Sequence, residues 1–206
     1  MRNLKSILVV AFVSLIMTSC DDNDGPTLEP VVSEQAINIE APQAGGAGQG
    51  PISGEFTKFS FKTGSVVTDT SWDIAFRGTT ILVNGGAAIG LVDEPTRTGS
   101  AALAIENGTL GSVLEAPTAT SFKQDAADVY ALATGSGNGW YTYNPQVNQI
   151  SPIAGIVLVI ETNDGHYAKM EIISYYKDLD PSNPANGRFY TFNYVYNPNV
   201  GDKSLE

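Results

Sequence analysis

The sequence holds one cysteine, one histidine and three methionines in 206 residues, and this scarcity excludes several kinds of site. Structural zinc sites need clusters of cysteine and histidine, which the chain cannot assemble. With His166 as the sole histidine, placed in a predicted hairpin turn, a Ser-His-Asp arrangement is not expected. The acidic residues scatter through predicted loops, so no pair of carboxylates indicates a glycoside hydrolase. We therefore predict a protein that is not an enzyme.

Positive charge is also scarce. The chain has 11 lysines and arginines against 22 aspartates and glutamates, a formal net charge of −11. A surface of this sign repels phosphate backbones and anionic lipid headgroups. We therefore exclude nucleic acid as a partner, and any membrane attachment must come from something other than charge.

The N-terminus supplies such an attachment. Arg2 and Lys5 precede a mostly apolar run from residue 7 to residue 17, about 11 residues and too short to span a bilayer core of ~30 Å. Small residues then lead to Cys20, where a bacterial lipoprotein is cleaved and acylated. We predict a signal peptide over residues 1–19, lipidation of Cys20, an acidic flexible tether over 20–35 and a folded domain over 36–206. The alternative is an ordinary signal peptide with an incidental cysteine.

The acidic cluster after Cys20, residues 21–24, allows two interpretations. An aspartate at this place retains some lipoproteins on the inner membrane, whereas an acidic cluster resembles a surface-export signal in others. Either interpretation gives an exported, lipid-anchored protein.

The pattern of residues 36–206 predicts strands and turns, with no sustained helical period and no internal repeat. Residues 57–62, 72–77 and 80–83 alternate or run apolar. In the second of these, Trp72 is expected to share one face with Ile74 and Phe76, and Asp73 could pair with Arg77 on the other. We predict an all-β fold, an antiparallel multi-stranded sandwich or distorted open barrel with long loops.

The C-terminal third gives the clearest pattern. A β-branched run over residues 153–161, the turn Asn163-Asp164-Gly165 and a strand over 167–176 predict a hairpin. After a loop over 177–187, a last strand should place four aromatic residues on one face: Tyr190, Phe192, Tyr194 and Tyr196.

Four motifs together resemble the HmuY-like family of haem-binding lipoproteins from Bacteroidota. They are Trp72-Asp73-Ile74-Ala75 with the later turn Asn84-Gly85-Gly86, Gly139-Trp140, Asp164-Gly165-His166-Tyr167-Ala168-Lys169, and the terminal Thr191-Phe192-Asn193-Tyr194. Their order and spacing agree with the family from about residue 36 to the C-terminus. The resemblance implies an all-β domain that holds haem between loops, at the outer membrane or cell surface, and passes it to an outer-membrane receptor.

At the positions of the iron ligands, however, the sequence departs from the family pattern. The best-known member holds haem iron with two loop histidines, and some relatives use methionines. One histidine position corresponds to Pro145 here, and the other falls in residues 106–117, which contain neither histidine nor methionine. His166 and Met170 cannot replace them, because residues four apart on one strand lie ~13 Å apart on one side. We expect His166 to be an exposed turn residue and Met170 to lie in the core.

A tyrosine phenolate can also ligate haem iron. Tyr141 and Tyr143 stand nearest the family's ligand-bearing loop, so they are the candidate haem-binding residues. Apolar sandwiching of the haem, ligands from a second molecule and a different ligand group stay open.

A different class of function is also open. The same β scaffold could serve as a non-haem binding or adhesion module for a glycan or a protein, for example on exposed aromatics such as Trp140 and Tyr141. Trp140 itself fits either the core or a binding platform. The run Asp178-Leu179-Asp180-Pro181-Ser182-Asn183 spaces oxygen donors as calcium loops do, but it lacks the central glycine and closing glutamate, so we interpret it as an acidic turn. No metal site is predicted.

Overall fold

The structure, a computed structural model, describes residues 27–46 and 48–206 and is built from antiparallel strands. Cys20 and the predicted signal peptide lie outside the described residues. The strands are β1 Val32–Glu40, β2 Thr57–Ser60, β3 Ser65–Val67, β4 Ile74–Arg77, β5 Thr80–Val83, β6 Ala102–Asn107, β7 Tyr141–Asn144, β8 Gln149–Pro152, β9 Ile156–Glu161, β10 Tyr167–Tyr176 and β11 Gly187–Asn197. Short 3-10 turns lie at Leu110–Ser112, Ala119–Ser121, Lys177–Leu179 and Pro184–Asn186.

The larger sheet has five strands in the order β1-β11-β10-β9-β6. The predicted C-terminal hairpin is confirmed: Tyr167 of β10 pairs with Glu161 of β9 across the turn. The predicted aromatic face of β11 is confirmed too, because Tyr190, Phe192, Tyr194 and Tyr196 are all buried. Met170 is fully buried in the same core, as expected.

A four-stranded sheet in the order β3-β2-β4-β5 packs against the larger one. Phe59 of β2 meets Phe192 of β11 edge to face with ring centroids 5.2 Å apart, and Phe76 of β4 lies 4.6 Å from Tyr190. Edge-to-face and tilted aromatic pairs at these separations are favourable. The two sheets enclose one aromatic core and are not closed into a barrel, so the prediction of an all-β fold with antiparallel sheets is confirmed.

The expected face of Trp72 is wrong. Ile74 and Phe76 enter the core between the sheets, whereas Trp72 packs with Phe56, Ala75 and other residues on the opposite side of the smaller sheet. Strand β4 begins only at Ile74, so strand alternation does not extend back to Trp72. A second apolar cluster therefore covers the outer side of this sheet.

The expected ion pair between Asp73 and Arg77 is also wrong. The Asp73 carboxylate accepts hydrogen bonds from the amides of Phe61 and Asn163, at 2.8 and 2.9 Å. The Arg77 guanidinium lies 4.2 Å above the ring of Phe56 and donates to backbone carbonyls. Both groups are buried, and each is satisfied by the backbone rather than by the other.

The long loop between β5 and β6 is fixed by a buried ionic cluster. Glu94 accepts hydrogen bonds from the amides of Ile89, Gly90 and Leu91. Arg97 bonds to Glu94 and, at 2.8 Å, to Asp125. The loop is thus ordered without regular secondary structure.

Strand β1 begins earlier than expected. Val32 pairs with Tyr196 and Gln35 with Asn193, so residues predicted as the end of the tether belong to the sheet. The backbone pairing comes from β11, a partner about 160 residues away that local composition does not reveal. In the described part of the chain, no helix has the length and apolar character needed to cross a membrane.

Candidate functional site

The hairpin of β7 and β8 is the element that carries both candidate tyrosines. Trp140 anchors its base: the residue is 2% exposed, and its indole Nε1 donates to the carbonyl of Thr79 at 3.0 Å. Its ring lies 4.9 to 5.8 Å from the rings of Tyr141, Tyr175 and Tyr190. Of the two alternatives for Trp140, the structure shows the core residue and not an exposed platform.

The hairpin separates the two candidate tyrosines. Tyr141 is buried, and its hydroxyl accepts a hydrogen bond from the Thr79 hydroxyl at 3.3 Å. Tyr143 lies two residues further along the hairpin, is 43% exposed, and donates to Asn148 Oδ1 at 3.1 Å. Only the Tyr143 phenol is accessible to a ligand, and an aromatic shelf formed by Trp140 and Tyr141 is not exposed.

Tyr143 borders a cleft of about 390 Å³ between the hairpin and the adjoining ends of β10 and β11. We call this the hairpin cleft; its lining is Tyr143, Asn148, Ile150, Tyr175, Tyr176, Pro184, Ala185, Gly187 and Arg188. Its volume falls within the range of roughly 300–1,000 Å³ found for small-molecule sites.

Hydrogen bonds from the cleft walls hold the hairpin in place. The Tyr176 hydroxyl accepts from the amide of Ile150 at 2.8 Å, which joins β10 to β8. Burial raises the pKa of Tyr175, and the neighbouring Arg188 guanidinium opposes that rise without cancelling it. Tyr175 therefore stays neutral near pH 7 and serves as an aromatic wall.

Sequence reasoning missed Tyr175, Tyr176 and Arg188 as cleft residues. The available signal was the adjacent tyrosine pair at the end of a predicted strand, followed by a loop with Arg188 at its far side. Only the pairing of β10 with β11, where Tyr176 lies opposite Gly187, brings these residues to the hairpin.

Of the two segments that correspond to the family's ligand positions, residues 106–117 adjoin the start of β9, whereas Pro145 lies at the far end of the β7–β8 hairpin. Pro145 occupies the β7–β8 turn, and β8 leads through Gly155 into β9. The amide of Gly108, in the other segment, donates to the carbonyl of Gly155 at 2.9 Å. Neither segment contains a histidine or methionine.

His166 is not the exposed turn residue that the sequence predicts. It is 7% exposed, its Nδ1 lies 2.9 Å from Asp164 Oδ1, and its ring stacks 5.6 Å from that of Tyr196. The turn is closed by the Thr162 hydroxyl, which accepts from the His166 amide at 2.9 Å, and this folds the imidazole against β11.

The Asp178 to Asn183 segment forms a turn, as interpreted from the sequence, and its aspartates are hydrogen-bonded to β1 and within the turn. Asp178 Oδ1 accepts from Asn38 Nδ2 at 2.7 Å, and Asp180 Oδ1 accepts from the amide of Ser182 at 2.9 Å. Across residues 27–46 and 48–206, no three histidine, cysteine, aspartate or glutamate side chains come together as a metal site would require.

Comparison with known proteins identifies relatives of this chain. The family model described as HmuY protein matches residues 54–194, well over half of the chain. No curated protein sequence matches.

Among solved structures, an apo HmuY analogue from Tannerella forsythia matches 84% of this chain and 99% of its own at 15% identity, with a TM-score of 0.51. A candidate HmuY-like haem-binding protein from Bacteroides vulgatus matches 82% of this chain and 93% of its own at 15% identity, with a TM-score of 0.47. A candidate lipoprotein from Bacteroides fragilis covers 82% and 92% at 11% identity, with a TM-score of 0.46. At these identities the likeness to the first concerns the fold alone.

Proposed function

Because this chain belongs to the HmuY family, we propose that it captures haem or a related tetrapyrrole in the hairpin cleft. The observation that carries this proposal is the Tyr143 phenol, which is exposed at the edge of a cleft walled by Tyr175 and Tyr176. The family resemblance supplies the class of bound molecule. The cleft supplies a place to bind it in a chain that lacks the family's usual iron-binding histidines and methionines.

The cleft residues fit the chemical needs of haem. Haem brings a flat apolar ring, an iron with open axial positions and two carboxylates. Tyr143 would hold the iron through its phenol oxygen, a ligand type that haem proteins use. Tyr175 and Tyr176 offer aromatic surface to the ring, and Arg188 offers a guanidinium to a carboxylate. Asn148 Oδ1 accepts a hydrogen bond from the Tyr143 hydroxyl and would hold the phenol in place when no ligand is bound.

The proposed activity needs no catalysis, in keeping with a family of binding proteins. We propose that Cys20 carries the lipid and holds the domain at the outer membrane or cell surface, where an outer-membrane receptor takes the ligand. The segment between Cys20 and Val32 supplies the link between anchor and sheet. The acidic cluster that follows Cys20 supports this location, because it resembles a surface-export signal.

A haem titration of the full chain, purified from membranes in detergent and corrected for haem in detergent alone, tests the binding proposal. We expect a saturable Soret change at one equivalent with a tyrosinate spectrum that Tyr143→Phe removes. The matched control is Tyr141→Phe, which alters a buried tyrosine of the same strand and should leave the spectrum intact. A flat titration would contradict haem binding and favour the alternative, a non-haem binding or adhesion module for a glycan or protein.

The lipid anchor has its own test. Metabolic labelling with radioactive palmitate should mark the wild-type chain, and Cys20→Ala should abolish the label and release the protein from the membrane fraction. Labelling that survives Cys20→Ala would contradict lipidation at this residue.

A further inference from the structure

Two strongly exposed apolar side chains lie at the end of the molecule where the chain enters β1. Val200 is the most exposed large apolar residue in the described part of the chain, at 73%, and Leu28 is 62% exposed. Val200 belongs to the turn after β11, and Leu28 precedes the start of β1 by four residues. We call this part of the molecule the anchor end; it comprises residues 27–31, 61–64, 162–166 and 198–202.

Hydrogen bonds hold the two apolar residues on one ordered surface. The amide of Glu29 donates to Asn199 Oδ1 at 2.8 Å, and Asn199 Nδ2 donates to the carbonyl of Glu29 at 2.8 Å. The amide of Gly201 donates to the carbonyl of Gly165 at 3.1 Å, which joins the turn after β11 to the β9–β10 turn. Each apolar residue is next in sequence to one member of the Glu29–Asn199 pair, so both project from the same fixed part of the domain.

The sequence limits how far this end can lie from a lipid on Cys20. Leu28 follows Cys20 by eight residues, which span at most about 29 Å at roughly 3.6 Å each. The hydrogen bonds of Glu29 prevent residues 29–31 from lengthening that span. The hairpin cleft lies at the other end of β10, a strand of 10 residues and thus about 33 Å in length. The anchor end is therefore the part of the folded domain that an acylated Cys20 holds nearest to the bilayer.

The charges of the anchor end exclude attraction to anionic lipid headgroups. Glu29, Asp164 and Asp202 are acidic. Lys62 is the one lysine or arginine in these four ranges, and its ammonium already lies 3.1 Å from Asp164 Oδ2. Contact with a bilayer must therefore come from apolar side chains. Their burial is favourable in proportion to the area removed from water, and salt does not screen it as it screens ionic attraction.

We propose that the anchor end is a membrane-contacting surface, in which Leu28 and Val200 insert among the lipids of the bilayer that holds the acyl chains of Cys20. The inference rests on the proposed lipidation of Cys20 and goes beyond the proposed function, because it fixes which way the domain stands. With this end on the bilayer, β10 carries the hairpin cleft away from the membrane surface, where the cleft stays open to its surroundings.

Spin labels on the acylated full chain in phosphatidylcholine vesicles test the proposal. Because the chain has a single cysteine, which the lipid would block, a cysteine introduced elsewhere takes up the nitroxide alone. At Val200→Cys the label should collide often with oxygen, which concentrates in lipid, and rarely with a water-soluble nickel complex. Val147→Cys, at a 64% exposed position in the β7–β8 turn, is the matched control and should show the reverse. A water-exposed label at both positions would overturn the inference.

A second substitution tests whether apolar burial holds the surface to the bilayer. Leu28→Asn in the Val200→Cys chain should lower the ratio of oxygen to nickel collisions at least about 3-fold, because moving an amide from water into lipid is unfavourable. Ile37→Asn is the control: Ile37 is 59% exposed further along β1, and its loss should leave the ratio unchanged. The ratio should also be the same at low and high salt. An unchanged ratio in Leu28→Asn, or loss of lipid contact in high salt, would contradict apolar insertion.

Flotation of the vesicles separates this inference from the lipid anchor. A chain that floats with the vesicles but carries a water-exposed label at Val200→Cys would overturn the membrane-contacting surface and leave the anchor supported. A chain that does not float, and whose Cys20 thiol also takes up the label, would contradict the anchor and the inference with it. Neither outcome bears on the hairpin cleft, which the haem titration tests separately.

Discussion

The two ends of strand β10 are built in different ways. At its start, the β9–β10 turn rests on charged groups: Asp164 bonds to His166 and Lys62, and Asp73 lies buried beneath the same turn. At its end, the hairpin cleft rests on aromatic rings whose polar atoms bond to the backbone, as with Trp140 and Tyr176. The first end should therefore respond to pH, whereas the second should respond to the loss of buried surface.

The largest effect should come from Trp140→Ala at the hairpin end. The substitution removes a buried ring that contacts three tyrosines, along with its bond to Thr79, and should lower the free energy of unfolding by about 3–5 kcal/mol. Urea denaturation measures it. Tyr143→Ala, an exposed position of the same hairpin, is the control and should cost less than about 1 kcal/mol. Equal losses would mean that the rings do not hold this end together.

The pH response of the other end comes second. Burial raises the pKa of Asp73 from its ordinary 3.8 to about 6, against opposing hydrogen bonds from the amides of Asn163 and Phe61. The native state thus binds this proton more tightly than the unfolded state does. The resulting stabilisation is complete below the unfolded pKa and is lost as pH rises through about 6, up to about 3 kcal/mol in all.

Urea unfolding of the wild-type chain and of Asp73→Asn, each at about pH 4.5 and pH 7, isolates this contribution. The wild type should lose about 2 kcal/mol more than the variant over this interval. Parallel pH dependences in the two proteins would show that Asp73 does not carry the response.

A smaller effect is expected from Tyr176→Phe, which removes one hydrogen bond between β10 and the hairpin. The Ile150 amide loses its acceptor at 2.8 Å, so stability should fall by about 1 kcal/mol and hydrogen exchange at that amide should quicken. Tyr143→Phe, whose hydroxyl bonds only to exposed Asn148, is the comparison and should leave the Ile150 amide protected. Unchanged hydrogen exchange of the Ile150 amide in Tyr176→Phe would show that this hydrogen bond does not hold the hairpin to β10.

The smallest effect should follow Lys62→Ala beside the β9–β10 turn. The Lys62 and Asp164 side chains are 63% and 36% exposed, and exposed ion pairs contribute roughly 0–1 kcal/mol. Thermal unfolding at low and high salt should differ little between this variant and the wild type. A loss well above 1 kcal/mol would mean that the charged network carries more of this end than its exposure suggests.

Strands whose polar and apolar residues alternate strictly were predictable from the sequence, whereas strands held by partners far away in the chain were not. The C-terminal hairpin and the buried face of β11 follow from period-two patterns and a tight-turn signal. The start of β1 at Val32 depends on β11, and no local pattern marks it. Lys169 shows a similar limit. It alternates with core residues yet is buried, because its ammonium donates hydrogen bonds to the carbonyls of Leu110 and Val113.

The surroundings of the candidate residues could be predicted only in part, for the same reason. Tyr143 was named because it lies near the segment that matches the family's ligand-bearing loop, whereas its exposure beside buried Tyr141 depends on the tertiary fold. The burial of His166 arises from a side-chain bond to Asp164 within the turn and from stacking on Tyr196 thirty residues later. Composition and spacing identify such residues but do not reveal which side of a turn they occupy.

The pairing of β1 with β11 has a mechanical consequence. Val32, where the chain from Cys20 enters the sheet, lies opposite Tyr196, and β1 then runs the length of β11 to Glu40 opposite Phe189. Tension applied through a lipid on Cys20 would therefore pull β1 along its own axis. Antiparallel hydrogen bonds stand perpendicular to the strands, so they would share such a load in shear instead of opening one at a time. A domain pulled through such a lipid would thus resist unfolding with the whole of its first strand.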